Sequence, residues 1–492
     1  MGDELTASTF TREQRQRYRE KVKLDLDVLD RILATAEFDT DDSMTGLEVE
    51  LNLADAAGGP MLNNADVLDE IADPDFQTEL GAYNIELNVA PRAFTGDEPR
   101  RLEDALRERL NEAETRAHRA GSRIVMVGIL PTLMFEHVDH DAWMSASARY
   151  TALNDSILAA RGENLHIDIE GVERLSLYTG SLAPESACTS LQLHQQVPPR
   201  AFARYWNASQ ALAGPQLALG ANSPFFYGRR LWDETRIELF AQGTDTRPPE
   251  LRDQGVRPRV WFGDRWVTSI FDLFEENVRY FPALLPQLSE EDPVAVLDGG
   301  GMPRLDELRL HNGTVYRWNR PVYDVVEGRP HVRVENRVLP AGPTVADMVA
   351  NAAFYYGAVT MLADAERPVW TSMSFATAAE NFRACSRWGM DATVFWPGMG
   401  EVPAPELLLR RLLPLAHEGL RRRGVDTDVA EHYLGIVTER AKRHRNGATW
   451  QVSAVEHLER QGLTRGEALS AMVVAYAERM HTNQPVHEWS LP

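Results

Sequence analysis

Cysteine is almost absent. Cys188 and Cys385 are the only two in 492 residues, which excludes a disulfide framework and every paired-cysteine metal spacing. No apolar run approaches the roughly 18 residues that a membrane span needs. The start, Met1-Gly2-Asp3-Glu4-Leu5, lacks a basic stretch followed by an apolar one, so no secretory signal is expected. Positive charge is scarce as well: 51 Lys+Arg stand against 73 Asp+Glu, a net charge of −22. Such a surface repels a phosphate backbone or an anionic bilayer, so neither nucleic acid nor membrane is an expected partner. There is no Gly-x-x-x-x-Gly-Lys-Ser/Thr phosphate loop; Gly299-Gly300-Gly301 is followed by Met302 and reads as a turn. Repeats of roughly 20 to 50 residues and low-complexity linkers are missing too. These absences leave a soluble, reducing, cytoplasmic protein with an ordinary globular composition, 43% hydrophobic and 25% charged.

What is present reads as α+β. The spacing of Tyr18, Val22, Leu26, Leu29 and Leu33, with Thr11 and Gln14 at capping-box distance, predicts a helix over Thr11 to Ala36. Further helices are predicted at Arg100–Ala120, Ala146–Ala160, Arg200–Ala213 and Val345–Ala363. A buried apolar strand is expected over Ile124–Leu130, and Thr246 to Arg259, rich in proline, reads as a long loop. From about Pro403 the pattern is helical throughout. The expected organisation is a catalytic domain over 1–400 with a helical C-terminal portion, 401–492, packed on it.

Several strands place unusual residues on one face. Residues i and i+2 of a strand share a face and stand roughly 6.6 Å apart. In Gly46–Leu53, Glu48, Glu50 and Asn52 oppose Leu47, Val49, Leu51 and Leu53. Tyr83–Val89 repeats this with Asn84, Glu86 and Asn88; Ser190–Val197 with Gln192, His194 and Gln196; His331–Leu339 with Arg333, Glu335 and Arg337. An ordinary solvent-facing sheet accounts for any one of these strands. It accounts less well for the set, because exposed strand faces favour Thr, Lys and Arg mixtures. Paired carboxylates repel each other and a divalent cation relieves this; hard oxygen donors with one imidazole suit Mg²⁺ or Mn²⁺. A carboxylate between two guanidiniums adds a grip for phosphate oxygens. Together they describe a sheet-built site for a metal–nucleotide complex.

In this order along the chain, Gly46-Leu47-Glu48-Val49-Glu50, Asn84-Ile85-Glu86, Gln192-Leu193-His194, Ala221-Asn222-Ser223-Pro224 and Arg333-Val334-Glu335-Asn336-Arg337 resemble the bacterial glutamate–cysteine ligase family of the second type. That family belongs to the carboxylate–amine ligases related to glutamine synthetase. The resemblance covers Gly46 to about Gly357, and Pro340-Ala341-Gly342-Pro343-Thr344 strengthens it. It implies a curved, mainly antiparallel sheet forming a funnel-shaped active site, with helices packed on its outer face. It implies ATP as cosubstrate with Mg²⁺ or Mn²⁺. It also implies activation of a glutamate side-chain carboxylate as an acyl phosphate, and attack by an amine, cysteine first, as in glutathione biosynthesis.

Position by position, Glu48 and Glu50 match the paired metal ligands of the first strand, and Glu86, with Glu79 beside it, the acidic residue of the second. His194 matches a histidine of the third, with Gln192 standing where an earlier histidine would be. Glu335 matches the ligand between the arginines, and Arg333 and Arg337 the phosphate-binding pair. Glu86 joins these arginines as a catalytic candidate. Arg236, Arg320 and Gln192 are candidates for binding substrate. Cys188 and His331 read as structural residues. A different amine, a protein or peptide acceptor, a non-catalytic descendant that only binds nucleotide or glutamate, and a homo-oligomer all stay open from the sequence.

Overall fold

A computed structural model of the protein describes residues 10–41 and 44–492; the Met1–Leu5 start lies outside them. The first helix, Arg12–Thr35, begins where expected: Gln14 N–H donates to Thr11 Oγ1 at 3.1 Å, and Thr11 N–H to Gln14 Oε1 at 2.8 Å. Among the described residues no helix is long and apolar enough to cross a membrane.

The main sheet is antiparallel and strongly curled. Its strands run Asn319–Val326, Arg329–Pro340, Ser190–Val197, Met44–Ala54, Asn84–Ala93 and Phe76–Thr78 in spatial order, and Arg123–Val125 pairs with the far end of Met44–Ala54. The four strands bearing the unusual polar faces are therefore consecutive neighbours. Register sets Glu50 directly opposite Glu86, Glu48 opposite Gln192, and Glu335 opposite His194 on one side and Arg320 on the other.

The other face carries Val49, Leu51, Ile85, Leu87, Leu191, Leu193 and Val332, all fully buried. Helices Phe202–Gly220 and Val345–Asp364 pack on the sheet. Tyr356, on the second of these, donates its hydroxyl to the carbonyl of His194 at 3.1 Å, pinning the back of the sheet beneath the polar face.

Two expectations from the sequence change in extent. The predicted Arg200–Ala213 helix continues through Pro215 to Gly220. Proline removes one helical hydrogen bond, yet nearly every residue there is buried, and packing outweighs that loss. The apolar Ile124–Leu130 stretch is strand only over Arg123–Val125. Beyond it, Asn52 Nδ2 donates to the Val127 carbonyl at 2.9 Å, Gly128 N–H to Asn222 at 3.2 Å and Thr189 N–H to the Gly128 carbonyl at 2.9 Å. Side chains and distant segments satisfy this backbone instead of a ladder, so it stays buried without being strand. The proline-rich loop contains one short helix, Pro249–Asp253.

Helices Leu413–Arg422, Thr427–Arg443, Gly447–Arg460 and Arg465–Thr482 follow the sheet region. The first crosses Val345–Asp364 at Gly419 and Gly357, where a side chain on either glycine would run into the other helix's backbone. Arg440 is buried and donates to Asn351 Oδ1 at 2.8 Å.

Candidate functional site

The concave polar face of the sheet opens into a cavity of about 290 Å³. Glu48, Glu50, Glu86, Gln192, Arg236, Arg320, Arg333, Glu335 and Arg337 all line it. His194 does not; it is buried behind Glu48 and Arg333. Glu50 and Glu335, both named from sequence, thus share one side of the sheet.

The side chains sort into three groups. In the first, one carboxylate oxygen from each of Glu50, Glu79 and Glu86 lies within 4.8 Å of the other two. Ser190 N–H donates to Glu50 Oε2 at 2.6 Å, Gln192 Nε2 to Glu50 Oε1 at 2.9 Å, and Asn88 Nδ2 to Glu86 Oε1 at 2.8 Å. Burial and then the charge of Glu48 raise Glu86 to about 6. Burial followed by Glu86 and Glu50 holds Glu79 well above the carboxylate range, and burial raises Glu50 although Arg337 opposes it. Like charges directly opposite on paired strands destabilise a sheet. Three converging oxygen donors whose ionisation is opposed chiefly by burial fit a hard divalent cation, Mg²⁺ or Mn²⁺.

The second group is Glu48, His194 and Arg333. Glu48 lies 3.2 Å from His194 Nε2, and Arg333 Nε donates to His194 Nδ1 at 3.1 Å. His194 Nε2 faces Glu48. Burial works to raise Glu48, but His194 outweighs it and brings the carboxyl down to about 2. Arg333 also reaches His331 Nε2 at 2.9 Å and Asp324 at 3.4 Å.

In the third group Glu335 is gripped from both sides. Arg320 donates through Nε at 3.1 Å and Nη2 at 2.6 Å, and Arg337 Nη1 reaches Glu335 Oε1 at 2.7 Å and Gln192 Oε1 at 2.5 Å. Burial opposes ionisation of Glu335, but Arg320 and Arg337 overcome it and hold the carboxyl well below the usual range. Its oxygens therefore orient arginines in this state, while the Glu50 group has the free oxygen density. Arg236, also buried, donates through Nε to Glu234 at 2.9 Å and through Nη2 to the Val338 carbonyl. Its guanidinium stacks 5.5 Å from the Trp318 ring.

Among the cavity carboxylates, Glu79 and Glu185 are two that escaped a clear sequence assignment. Glu79 sits in the turn before Asn84 and Glu185 in the four-residue helix Ala183–Ser186. Neither lies in an alternating strand, so periodicity carries no signal for them.

The raised carboxyl of Glu86 predicts a pH dependence. A group whose folded value, about 6, exceeds its ordinary 4.5 stabilises the fold at low pH, and that contribution disappears as pH rises through about 6. For Glu86 alone it amounts to about 2 kcal/mol. Mg²⁺ needs ionised oxygens. The melting temperature of metal-free protein is expected to fall as pH rises from about 5 to 8, and the increment added by Mg²⁺ to grow over the same interval. An Mg²⁺ increment equal at both ends would remove the carboxylate group from consideration as a metal site.

A family model described as glutamate-cysteine ligase family 2 (GCS2) matches residues 44–481. The solved structure of a glutamate–cysteine ligase from Francisella tularensis, in complex with AMP, is similar at 12% identity and a TM-score of 0.55, over 93% of this chain and 91% of that one. A bifunctional glutathione synthetase from Pasteurella multocida is similar at 11% identity and a TM-score of 0.50, over 95% of this chain and 55% of that one. No curated protein matches the sequence.

Proposed function

From the premise that the chain belongs to glutamate–cysteine ligase family 2 and is an ATP-dependent ligase forming C–N bonds, we propose that it activates the γ-carboxylate of glutamate as an acyl phosphate and joins it to a small amine, cysteine first. The observation that carries this reading is the meeting, in one cavity, of the Glu50–Glu79–Glu86 oxygens with the guanidiniums of Arg320, Arg333 and Arg337. Phosphoryl transfer gathers charge on oxygens, and fixed cations stabilise it electrostatically.

In this reading Arg337 and Arg333 hold phosphate oxygens. Arg320 swings from Glu335 to a substrate carboxylate or stays to keep Glu335 ionised. Gln192 aligns Arg337 with Glu50. Glu50, Glu79 and Glu86 would hold Mg²⁺, which when bound supplies charge neutralisation at phosphate oxygens. His194 keeps Glu48 ionised and steadies Arg333 from behind. A cavity of about 290 Å³ suits amino-acid-sized substrates better than a polypeptide acceptor. A cytoplasmic setting, where ATP, Mg²⁺ and thiols are abundant, accords with this chemistry. The helical portion from 401 braces the Val345–Asp364 helix behind the site.

Product analysis tests the proposal. Incubation with ATP, Mg²⁺, glutamate and cysteine should yield ADP, phosphate and a γ-linked dipeptide, and hydroxylamine should intercept the activated glutamate as a hydroxamate. AMP with pyrophosphate as stoichiometric products would overturn the acyl phosphate. ADP formation driven by another amine would replace cysteine and keep the mechanism.

A further inference from the structure

Most carboxylates around the cavity have visible employment. Glu48 faces His194, Glu335 lies between Arg320 and Arg337, and Asp306 lies 3.3 Å from Arg304 and 3.7 Å from Arg309. Glu50, Glu79 and Glu86 converge on one another. Glu185 stands apart. It lines the same cavity, and among the described residues it makes no ion pair. Its Oε2 is closed off from solvent yet accepts no hydrogen bond. An unpaired carboxylate in such a place is costly unless a cation joins it.

The backbone around Glu185 is firmly set. Glu185 N–H donates to the Leu182 carbonyl at 2.9 Å, Cys188 N–H to the Glu185 carbonyl at 3.0 Å, and the neighbouring Ser186 Oγ meets Tyr83 OH at 2.8 Å. Gly243 presses so close that a Cβ there would lie 3.3 Å from the Glu185 nitrogen and Cβ. One turn before Gly243 in the same helix, Phe240 faces the cavity with Tyr316 and Trp318, its ring centroid 5.1 Å and 5.9 Å from theirs. The charge of Glu185 is felt at Tyr316. A carboxylate without an ion-pair partner, in a cavity that Phe240 and Tyr316 also line, is a receptor for an ammonium group.

We propose, resting on the acyl-phosphate reading above, that Glu185 receives the acceptor amine: it holds the incoming ammonium in the cavity that Phe240 and Tyr316 also line and takes one proton from it. The freed lone pair attacks the acyl carbon, and the C–N bond forms. The C–O bond to phosphorus breaks with its electron pair going to phosphate, and the second N–H proton leaves with that phosphate. Glu185 gives up that proton to water when the next ammonium arrives and lowers its hold on it. Burial, then the charge of Glu50, already raises the Glu185 carboxyl to about 8 in the empty cavity. Arrival of a cation lowers that value toward neutrality, where a general base is most effective.

Hydroxylamine provides the test, because it is uncharged at neutral pH and needs no base to free its lone pair. Glu185→Gln is expected to keep glutamyl hydroxamate formation within about threefold of wild type. With the cysteine amine it should lose about 10²-fold or more, with partial recovery as pH approaches that amine's own ionisation. Glu185→Asp should show the same split, and it carries the test if the Gln variant does not fold. Equal losses with both acceptors, in a variant of unchanged melting temperature, would overturn the role of Glu185 while wild-type hydroxamate leaves the ligase reading standing. A raised KM for glutamate alone would overturn it as well, by assigning Glu185 to the other substrate. Absence of hydroxamate with the wild-type protein would strike the acyl phosphate itself, a separate result.

Discussion

Glu86→Gln is expected to lower kcat/KM about 10³-fold while raising the melting temperature of the metal-free protein above pH 7. The two effects share one cause. Glu86 faces Glu50 across a strand pair, is almost wholly buried, and has an oxygen within 4.8 Å of one from each of Glu50 and Glu79. Glutamine keeps the shape and the contact with Asn88 but removes one negative charge from the group. Without metal, the remaining carboxylates ionise at less cost and the fold gains stability. With Mg²⁺, an oxygen donor of full charge is gone, so affinity and transition-state stabilisation fall together. Steady-state kinetics over a range of Mg²⁺ concentrations and thermal melts with and without chelator read both. A Gln variant that loses activity and also melts lower in chelator would make Glu86 a structural residue and not a ligand.

Arg337→Lys is expected to cost about 10²-fold or more in kcat. Arg337 Nη1 contacts both Gln192 and Glu335, and through Gln192 it reaches Glu50. Burial opposes its charge, but Glu335 and Glu50 hold the guanidinium firmly protonated. A lysine ammonium keeps the charge but is a single point on a flexible stem, and it lacks the planar fork that meets an acid and a phosphate oxygen together. If the fork does the work, the loss falls on kcat while the KM for the amine stays put, and Arg320→Lys shows a smaller loss on glutamate. A Lys variant of wild-type activity would leave charge alone as the requirement.

Much of the site was legible in the chain itself because strand periodicity is strict. Alternation along Leu47–Leu53 assigns Glu48 and Glu50 to one face whatever the rest of the fold does, and the same holds for Glu86, Gln192, Arg333, Glu335 and Arg337. Apolar spacing and a capping box likewise place the first helix within a residue of its observed ends. Where local rules competed with burial, they lost: Pro215 lies inside a helix, and Met126–Leu130 is buried without being strand. Periodicity could not reveal Glu79 and Glu185, which approach the cavity from a turn and a four-residue helix.

The sequence by itself determined which residues share a face of each strand, because side-chain direction follows from backbone geometry one residue at a time. An ordered set of motifs also carried the resemblance to the family, and the resemblance implied an ATP-dependent ligase. Only the tertiary structure decided how those residues divide their labour. Strand order and register put Glu50 against Glu86, His194 behind Glu48, and Arg320 and Arg337 around Glu335. The Glu50–Glu86 and Glu48–His194 pairings join segments far apart in the chain, and the charge a buried group keeps depends on the partner that the fold delivers to it.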